Sequence, residues 1–303
     1  MSWQLTALDL WLRWVEKHYL ARETDFTRAR SRLERLSARL PAPAGARLTT
    51  RPLCALAATR IAGPGPEAPV LLWLHGGAYC LGSSRTHAAM AAHLARRLGA
   101  AAVLPDYRLA PEHPFPAAPE DALAAYLALL GEGVAPERLI LGGDSAGGGL
   151  AMALIGSLGA AGLPMPVCVI AFSPWADLTL SGASLDELAE RDALLPAARV
   201  TEIRDLYLGG ADPRDPRASP LFADLAGAPP TLIQASAAEI LRDDALRLAA
   251  HLKGQGADVR VDLWPDVPHV WQLYPGQLPE ADLALDQAAA FARGHLGAQK
   301  ARR

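Results

Sequence analysis

The run Gly143-Asp144-Ser145-Ala146-Gly147 constrains this chain more than any other segment because of what flanks it. The apolar stretch Leu139-Ile140-Leu141 precedes it, and Gly148-Gly149-Leu150-Ala151-Met152-Ala153-Leu154 follows. That order reads as strand, sharp turn, helix. Glycine two places either side of the serine is what such a turn requires. The turn forces the serine into a strained backbone conformation, where a neighbouring side chain would collide with it. The product is a serine hydroxyl exposed at a helix N-terminus. A pentapeptide of this kind arises by chance in a glycine-rich chain, so its weight depends on the rest of the sequence.

The rest supplies it. From about residue 50, short apolar runs alternate with helical stretches: 53–59, 70–74, 101–104, 139–141, 167–172, 231–234 and 259–263. This is the grammar of an α/β protein, a mostly parallel central sheet flanked by helices on both faces. A content of 51% hydrophobic and 20% charged residues over 303 positions can fill the core such a sheet needs. Two segments stand outside the alternation. Before residue 41, Trp3, Ala7, Trp11, Trp14 and Val15 recur at helical spacing as the apolar stripe of one helix. A second helix follows, capped by Thr24 or Asp25, with Leu33, Leu36 and Leu40 facing inward and Arg28, Arg30, Arg32, Arg35 and Arg39 on a solvated face. Pro41-Ala42-Pro43-Ala44-Gly45 ends this piece. Between Asp177 and Pro220 no strand is evident, and helical runs at 185–191 and 197–208 read as an insertion packing beside the N-terminal helices.

A formal net charge of -3 excludes a general nucleic-acid partner. Cys54, Cys80 and Cys168 are too few and too scattered for a disulfide framework or a metal site, which points to a reducing cytoplasm. Asp9, Arg13, Glu16 and Lys17 interrupt the apolar N-terminus before a signal core or membrane span could form. No cofactor or metal is expected, and no stable insertion into a membrane.

A serine hydroxyl is a weak nucleophile near neutral pH and needs a base, itself oriented by an acid. In a chain of this pattern the order is serine, acid, histidine. Of the histidines after Ser145, His251 sits in mid-helix and His295 in the last helix, whereas His269 follows the last strand in a loop. His269 is the expected base. The acid belongs just after 231–234, where Glu239 is nearest the strand end; Asp243 remains an alternative, and Asp244 fits a first-turn helix carboxylate. Asp266 reads as a turn residue. An oxyanion needs backbone donors, and the expected ones are Ala146, directly after the serine, with Gly76 and Gly77 in Leu74-His75-Gly76-Gly77-Ala78-Tyr79. His75 reads as a brace for that loop. Tyr79 and Trp175 are the candidates for substrate contact. Cys80 reads as a small buried side chain. Trp3, Trp11 and Trp14 line an acyl pocket or pack their helix on the core, the second for at least two of them.

The segments His75-Gly76-Gly77-Ala78 and Gly143-Asp144-Ser145-Ala146-Gly147-Gly148 resemble the two signatures of the hormone-sensitive lipase family of esterases. The run from Asp106 to Ala117, Ser173-Pro174-Trp175 and Pro268-His269 are similar to further family segments, so the resemblance spans about residues 50–295. It implies an α/β-hydrolase core at 46–176 and 221–303, with a helical cap built from 1–45 and the insertion 177–220. It also implies no cofactor and hydrolysis of short to medium acyl-chain esters. Ala78 stands where the family has a third glycine, and Glu239 where it has the triad aspartate; serine–histidine–glutamate triads occur on this fold. The wording is similar to bacterial carboxylesterases and to monoterpene lactone hydrolases. The same triad would serve an ester, a lactone or an amide, and relatives that have lost the histidine bind small ligands without turnover. The resemblance leaves room for a homodimer through 259–263 and 284–291.

Overall fold

The computed structural model describes residues 2–301. Eight strands, β1 (Leu48–Thr50), β2 (Ala58–Ile61), β3 (Val70–Leu74), β4 (Ala101–Pro105), β5 (Leu139–Asp144), β6 (Cys168–Phe172), β7 (Thr231–Ser236) and β8 (Val259–Trp264), form one sheet in the order β1-β2-β4-β3-β5-β6-β7-β8. The two pairs made by β2 are antiparallel, and every pair from β4 to β8 is parallel. The helices are α1 (Trp3–Trp11), α2 (Lys17–Leu20), α3 (Phe26–Ser37), α4 (Ser84–Leu98), α5 (Ala117–Gly131), α6 (Ala146–Ala160), α7 (Ser184–Glu187), α8 (Ala197–Leu208), α9 (Arg242–Gly254) and α10 (Pro279–Ala301), with a π-helical turn, Leu12–Glu16, joining α1 to α2. Among the described residues no helix is long and apolar enough to cross a membrane.

The pleat of β3 shows why the central strands are apolar throughout. Leu71 and Trp73 point to the face covered by α4 and α10, among Met90, Leu94, Leu285 and Ala288. Leu72 and Leu74 point to the face covered by α5, α6 and α9, among Ala122, Leu150 and Leu248. Because β3, β5, β7 and β8 are parallel, their carboxyl ends share one edge of the sheet, and the loops after them carry His75, Ser145, Glu239 and His269.

Several expectations change on contact with the structure. The apolar run 53–59 is not one strand: Leu53 and Leu56 pair with each other across a tight turn, and the strand proper begins at Ala58. β1 went unforeseen because it is fully exposed and carries no burial pattern. Two tryptophans of the first helix face outward, Trp3 77% and Trp14 67% exposed, while Trp11 is half-buried. The buried face is Leu5, Leu12 and Glu16 instead. Leu5 packs with Trp271, Leu278 and Ala281, and Ser2 holds the start of α1 to Glu280 through both its N–H and its hydroxyl. The arginines of α3 and of the turn after it divide. Arg28, Arg35 and Arg39 are solvated, but Arg30 clamps the carbonyls of Cys80 and Ala110 and pairs with Glu112, and Arg32 pairs with Glu16.

The helix expected at 185–191 stops at Glu187. The carbonyls that would continue it are taken from outside: Lys17 Nζ donates to Ala189 and Asp192, and the Arg13 guanidinium to Glu190 and Arg191. Arg199 likewise binds the carbonyls of Leu20 and Glu23. These contacts seat the N-terminal helices on the insertion. The apolar face of α10 offered for a dimer contact is spent inward, with Ala284, Leu285, Ala288 and Ala289 buried in the core.

Candidate active site

Ser145 sits between β5 and α6 with φ 54° and ψ −124°, a conformation that L-residues rarely adopt. Its N–H donates to the Phe172 carbonyl (2.8 Å), and its own carbonyl accepts from Trp175 (2.9 Å) and Gly149 (3.1 Å). The turn closes only because its neighbours lack side chains. A Cβ on Gly147 would lie 2.5 Å from the His75 carbonyl oxygen and closer still to that of Leu74. One on Gly143 would lie 2.8 Å from the Leu74 carbonyl oxygen and closer to the backbone of Gly147. Backbone in a packed sheet has nowhere to move. Gly147→Ala is therefore expected to cost at least about 3 kcal/mol of stability, measurable as a lowered Tm and denaturation midpoint, with activity lost in parallel.

His269 Nε2 lies 2.9 Å from Ser145 Oγ, and His269 Nδ1 lies 2.5 Å from Glu239 Oε2. The other oxygen of Glu239 accepts the Ser236 N–H at 2.8 Å. Ser236 Oγ in turn donates to the Val267 carbonyl (2.5 Å) and accepts from Ala238, which ties the acid loop to the base loop. All three side chains are buried, Ser145 with 8% exposure. Burial alone would pull the His269 imidazole below its ordinary pKa. The charge and hydrogen bond of Glu239, helped by Asp192 and Asp144, more than offset this, so it is raised. Asp243 is elsewhere: it accepts the Ser184 N–H and pairs with Arg242. Asp244 accepts the N–H groups of Ala176 and Asp177, and burial pushes its carboxyl up to about 7.

The loop after β3 is folded against Asp144. A Cβ on Gly76 would collide with the Asp144 carboxylate, which also accepts from Trp73 Nε1 (2.9 Å) and lies 3.1 Å from His87 Nε2. Burial would raise the Asp144 pKa, but His87 and the Trp73 hydrogen bond keep it below the ordinary value. The Gly76 N–H points back to His87 Nε2 (3.3 Å). Gly77 (φ 118°) and Ala78 (φ 53°) turn the chain so that, among the described residues, their N–H groups make no hydrogen bond; the same holds for Ala146. His75 stacks on Tyr107 and accepts that tyrosine's hydroxyl on its backbone carbonyl (2.6 Å). Its imidazole, fully buried, is lowered to about 3 and stays neutral.

Ser145 and His269 open into an apolar cavity of about 480 Å³. Leu33, Leu36 and Leu40 of the N-terminal piece, Leu194, Leu195 and Val200 of the insertion, and Ile240 and Val270 beside the acid and base line its walls. Trp11 and Trp175 line it as well. Tyr79 does not: it is buried behind the loop, stacked on Tyr207 with 3.8 Å between ring centroids. Nor do Trp3 and Trp14. Cys80 also borders the cavity, its thiol pushed up to about 12 by burial. His251 is half-buried against the Ala223 carbonyl, and Asp266 pairs with Arg191. Among the described residues no three His, Cys, Asp or Glu side chains converge as metal ligands would. His87 and Asp192 were not foreseen, since nothing in local spacing marks a helix histidine or an insertion aspartate whose partners are 57 and 48 residues away.

Residues 71–273 match the model of an α/β-hydrolase-fold family, and the chain belongs to the hormone-sensitive lipase family of α/β-hydrolase esterases. It is a carboxylic ester hydrolase. The chain is similar to an acetyl-hydrolase of Streptomyces hygroscopicus, 46% identical over 227 residues that span 75% of this chain and 76% of that protein. It is similar to an esterase of Acinetobacter venetianus, 41% identical over 226 residues that span 74% of each. Its fold is similar to the crystal structure of an esterase from the bacterial hormone-sensitive lipase family, with TM-score 0.92 and 39% identity over 98% of this chain and 99% of that one.

Proposed function

We propose that the protein is a serine carboxylesterase that works through an acyl-enzyme on esters with short to medium acyl chains. The observation that carries this reading is the unbroken hydrogen-bonded line Ser145–His269–Glu239, buried at one end of an apolar cavity. Glu239 holds the proton of His269 on Nδ1, leaving Nε2 to take the Ser145 proton as Oγ bonds to the ester carbonyl carbon. The oxyanion so formed is received by the N–H groups of Gly77, Ala78 and Ala146. Gly76 serves differently: its N–H is turned toward His87, and its missing side chain leaves room for the Asp144 carboxylate that His87 Nε2 and Trp73 hold. The tetrahedral adduct collapses, His269 passes its proton to the departing alkoxide, and the alcohol leaves. Water then repeats the sequence and frees the acid. A chain that keeps the full line is built for turnover, which separates it from ligand-binding relatives that lack the histidine.

The N-terminal helices and the insertion 177–220 act as the cap over this cavity, and their leucines and valine shape the acyl site. Trp175 contacts the substrate. The cavity falls in the range of small-molecule sites. The test is a p-nitrophenyl ester series from acetyl to dodecanoyl. We expect kcat/KM to peak within the short to medium chains and to fall at dodecanoyl. A flat profile, or a maximum at the longest chain, would count against the cap walls as the limit on chain length.

A further inference from the structure

Residues 189–192 of the insertion form a strap that touches the N-terminal helices on one side and both the acid and the base loop on the other. Arg13 and Lys17 hold the backbone carbonyls of all four residues. Arg191 pairs with Asp266, three residues before His269. Asp192 turns its carboxylate inward and is 1% exposed. One oxygen accepts the N–H groups of Leu194 and Leu195, each at 2.8 Å, and the other accepts the N–H of Ile240 at 2.9 Å. Ile240 directly follows Glu239. A buried carboxylate is costly unless donors saturate it, and here one of those donors belongs to the residue next to the triad acid.

We propose that Asp192 is a positioning residue for ester hydrolysis: it fixes the turn that aims Glu239 at His269, and its charge adds to that of Glu239 in the field His269 feels. The proposal rests on the reading of Ser145, His269 and Glu239 as the triad. Its consequence is that the aim of the acid depends on how the N-terminal helices dock, through Arg13, Lys17 and the strap.

The groups facing His269 are Glu239 after β7, Asp144 at the end of β5 and Asp192 from the insertion; the Asp266–Arg191 pair beside it is internally neutralised. Asp192 lies within electrostatic reach of His269, and the cations Lys17 and Arg13 lie across the strap on its carbonyl side. Burial raises the Asp192 carboxyl above its ordinary value, and His269 and the three N–H donors, which favour the charged form, offset part of that rise. A negative charge favours the imidazolium, so removing it lowers the pKa of His269. Since turnover needs neutral His269, the acid limb of the pH profile then moves to lower pH.

Asparagine at 192 cannot accept all three N–H groups in either amide orientation, because one of them must face its NH2. The experiment measures kcat, KM and their pH profiles with p-nitrophenyl butyrate for wild type, Asp192→Asn, Asp192→Glu, Lys17→Met and Ser145→Ala. For Asp192→Asn we expect kcat to fall about tenfold with little change in KM, and the acid limb to drop by roughly half a pH unit. Asp192→Glu restores the limb because it restores the charge. Lys17→Met loosens the strap and lowers kcat less, with the limb in place. An Asp192→Asn enzyme that loses only Tm, with an unmoved limb, reduces Asp192 to a structural part and overturns the proposal. If that variant does not fold, Asp192→Ser is read on the same limb with the same criterion. An inactive Ser145→Ala beside an unmoved Asp192 limb rejects the role of Asp192 alone, whereas an active Ser145→Ala rejects the triad beneath it.

Discussion

Ser145→Ala is expected to lower kcat for p-nitrophenyl butyrate by a factor on the order of 10⁴ to 10⁶ while the protein stays folded. The size follows from the role: without Oγ no acyl-enzyme forms, and what remains is whatever the oxyanion donors and the cavity do for direct attack by water. The fold should tolerate the change because the φ of 54° is as hard for serine as for alanine, and the glycines around it are untouched. The hydroxyl's hydrogen bond is to His269, so its loss costs about 1 kcal/mol or less. Mass spectrometry after brief mixing with a slowly turned-over ester gives a second reading, with an acyl adduct on the peptide carrying Ser145 in the wild type and none in the variant. Turnover within tenfold of wild type would sink the serine mechanism.

The parts of the fold legible in the sequence are those whose burial leaves a mark on composition. β3 to β7 are apolar runs bounded by turn residues because helices cover both faces of the sheet, as the split of Leu71 and Trp73 from Leu72 and Leu74 shows, whereas the edge strand β8 carries Arg260 and Asp262 and is only half-buried. β1 left no such mark, because every residue in it is exposed. The first helix misled for a related reason. Its tryptophans keep helical spacing, yet the leucines Leu5 and Leu12 are the residues that pack, and the π turn at Leu12–Glu16 shifts the register of the face that follows. Local hydrophobicity said that a stripe existed; which stripe faced inward depended on α10 and on Trp271, far along the chain.

Site residues followed the same logic. Ser145 and His269 could be placed because one sits in a motif with its own steric demand and the other in the loop after the last strand. Glu239 was separable from Asp243 by its distance from the end of β7 and by the family resemblance, and the structure shows the physical reason that distance matters: β7 ends at Ser236, and the tight turn after it brings the Glu239 carboxylate back to the Ser236 N–H. Gly76 and Tyr79 shared the oxyanion-loop motif with Gly77, and sequence cannot say which way an N–H or a ring points once φ turns positive. Gly76 faces His87, and Tyr79 faces Tyr207. Asp192 lay beyond reach altogether, since its partners at Leu194, Leu195 and Ile240 are backbone groups, which have no residue type to recognise.

Glu239→Gln is expected to lower kcat by roughly 10³ to 10⁴, and the hydrogen bonds show why an isosteric change should cost so much. Oε1 of Glu239 accepts the Ser236 N–H, so the glutamine carbonyl is drawn to that side and its NH2 is left facing His269 Nδ1. Nδ1 must then accept, which moves the imidazole proton to Nε2, the atom that has to take the proton of Ser145. The charge is lost as well. Glu239 is the main group that raises His269 against the downward pull of burial. Without it the imidazole pKa falls, so the little activity that remains should persist to lower pH than in the wild type. Asp243→Asn, by contrast, alters a carboxylate held by Ser184 and Arg242 and should leave kcat within about threefold, with the acid limb in place. Measuring both variants across pH separates the two carboxylates by magnitude and by limb. A larger loss in Asp243→Asn than in Glu239→Gln would move the acid of the triad out of the turn after β7 and into the start of α9.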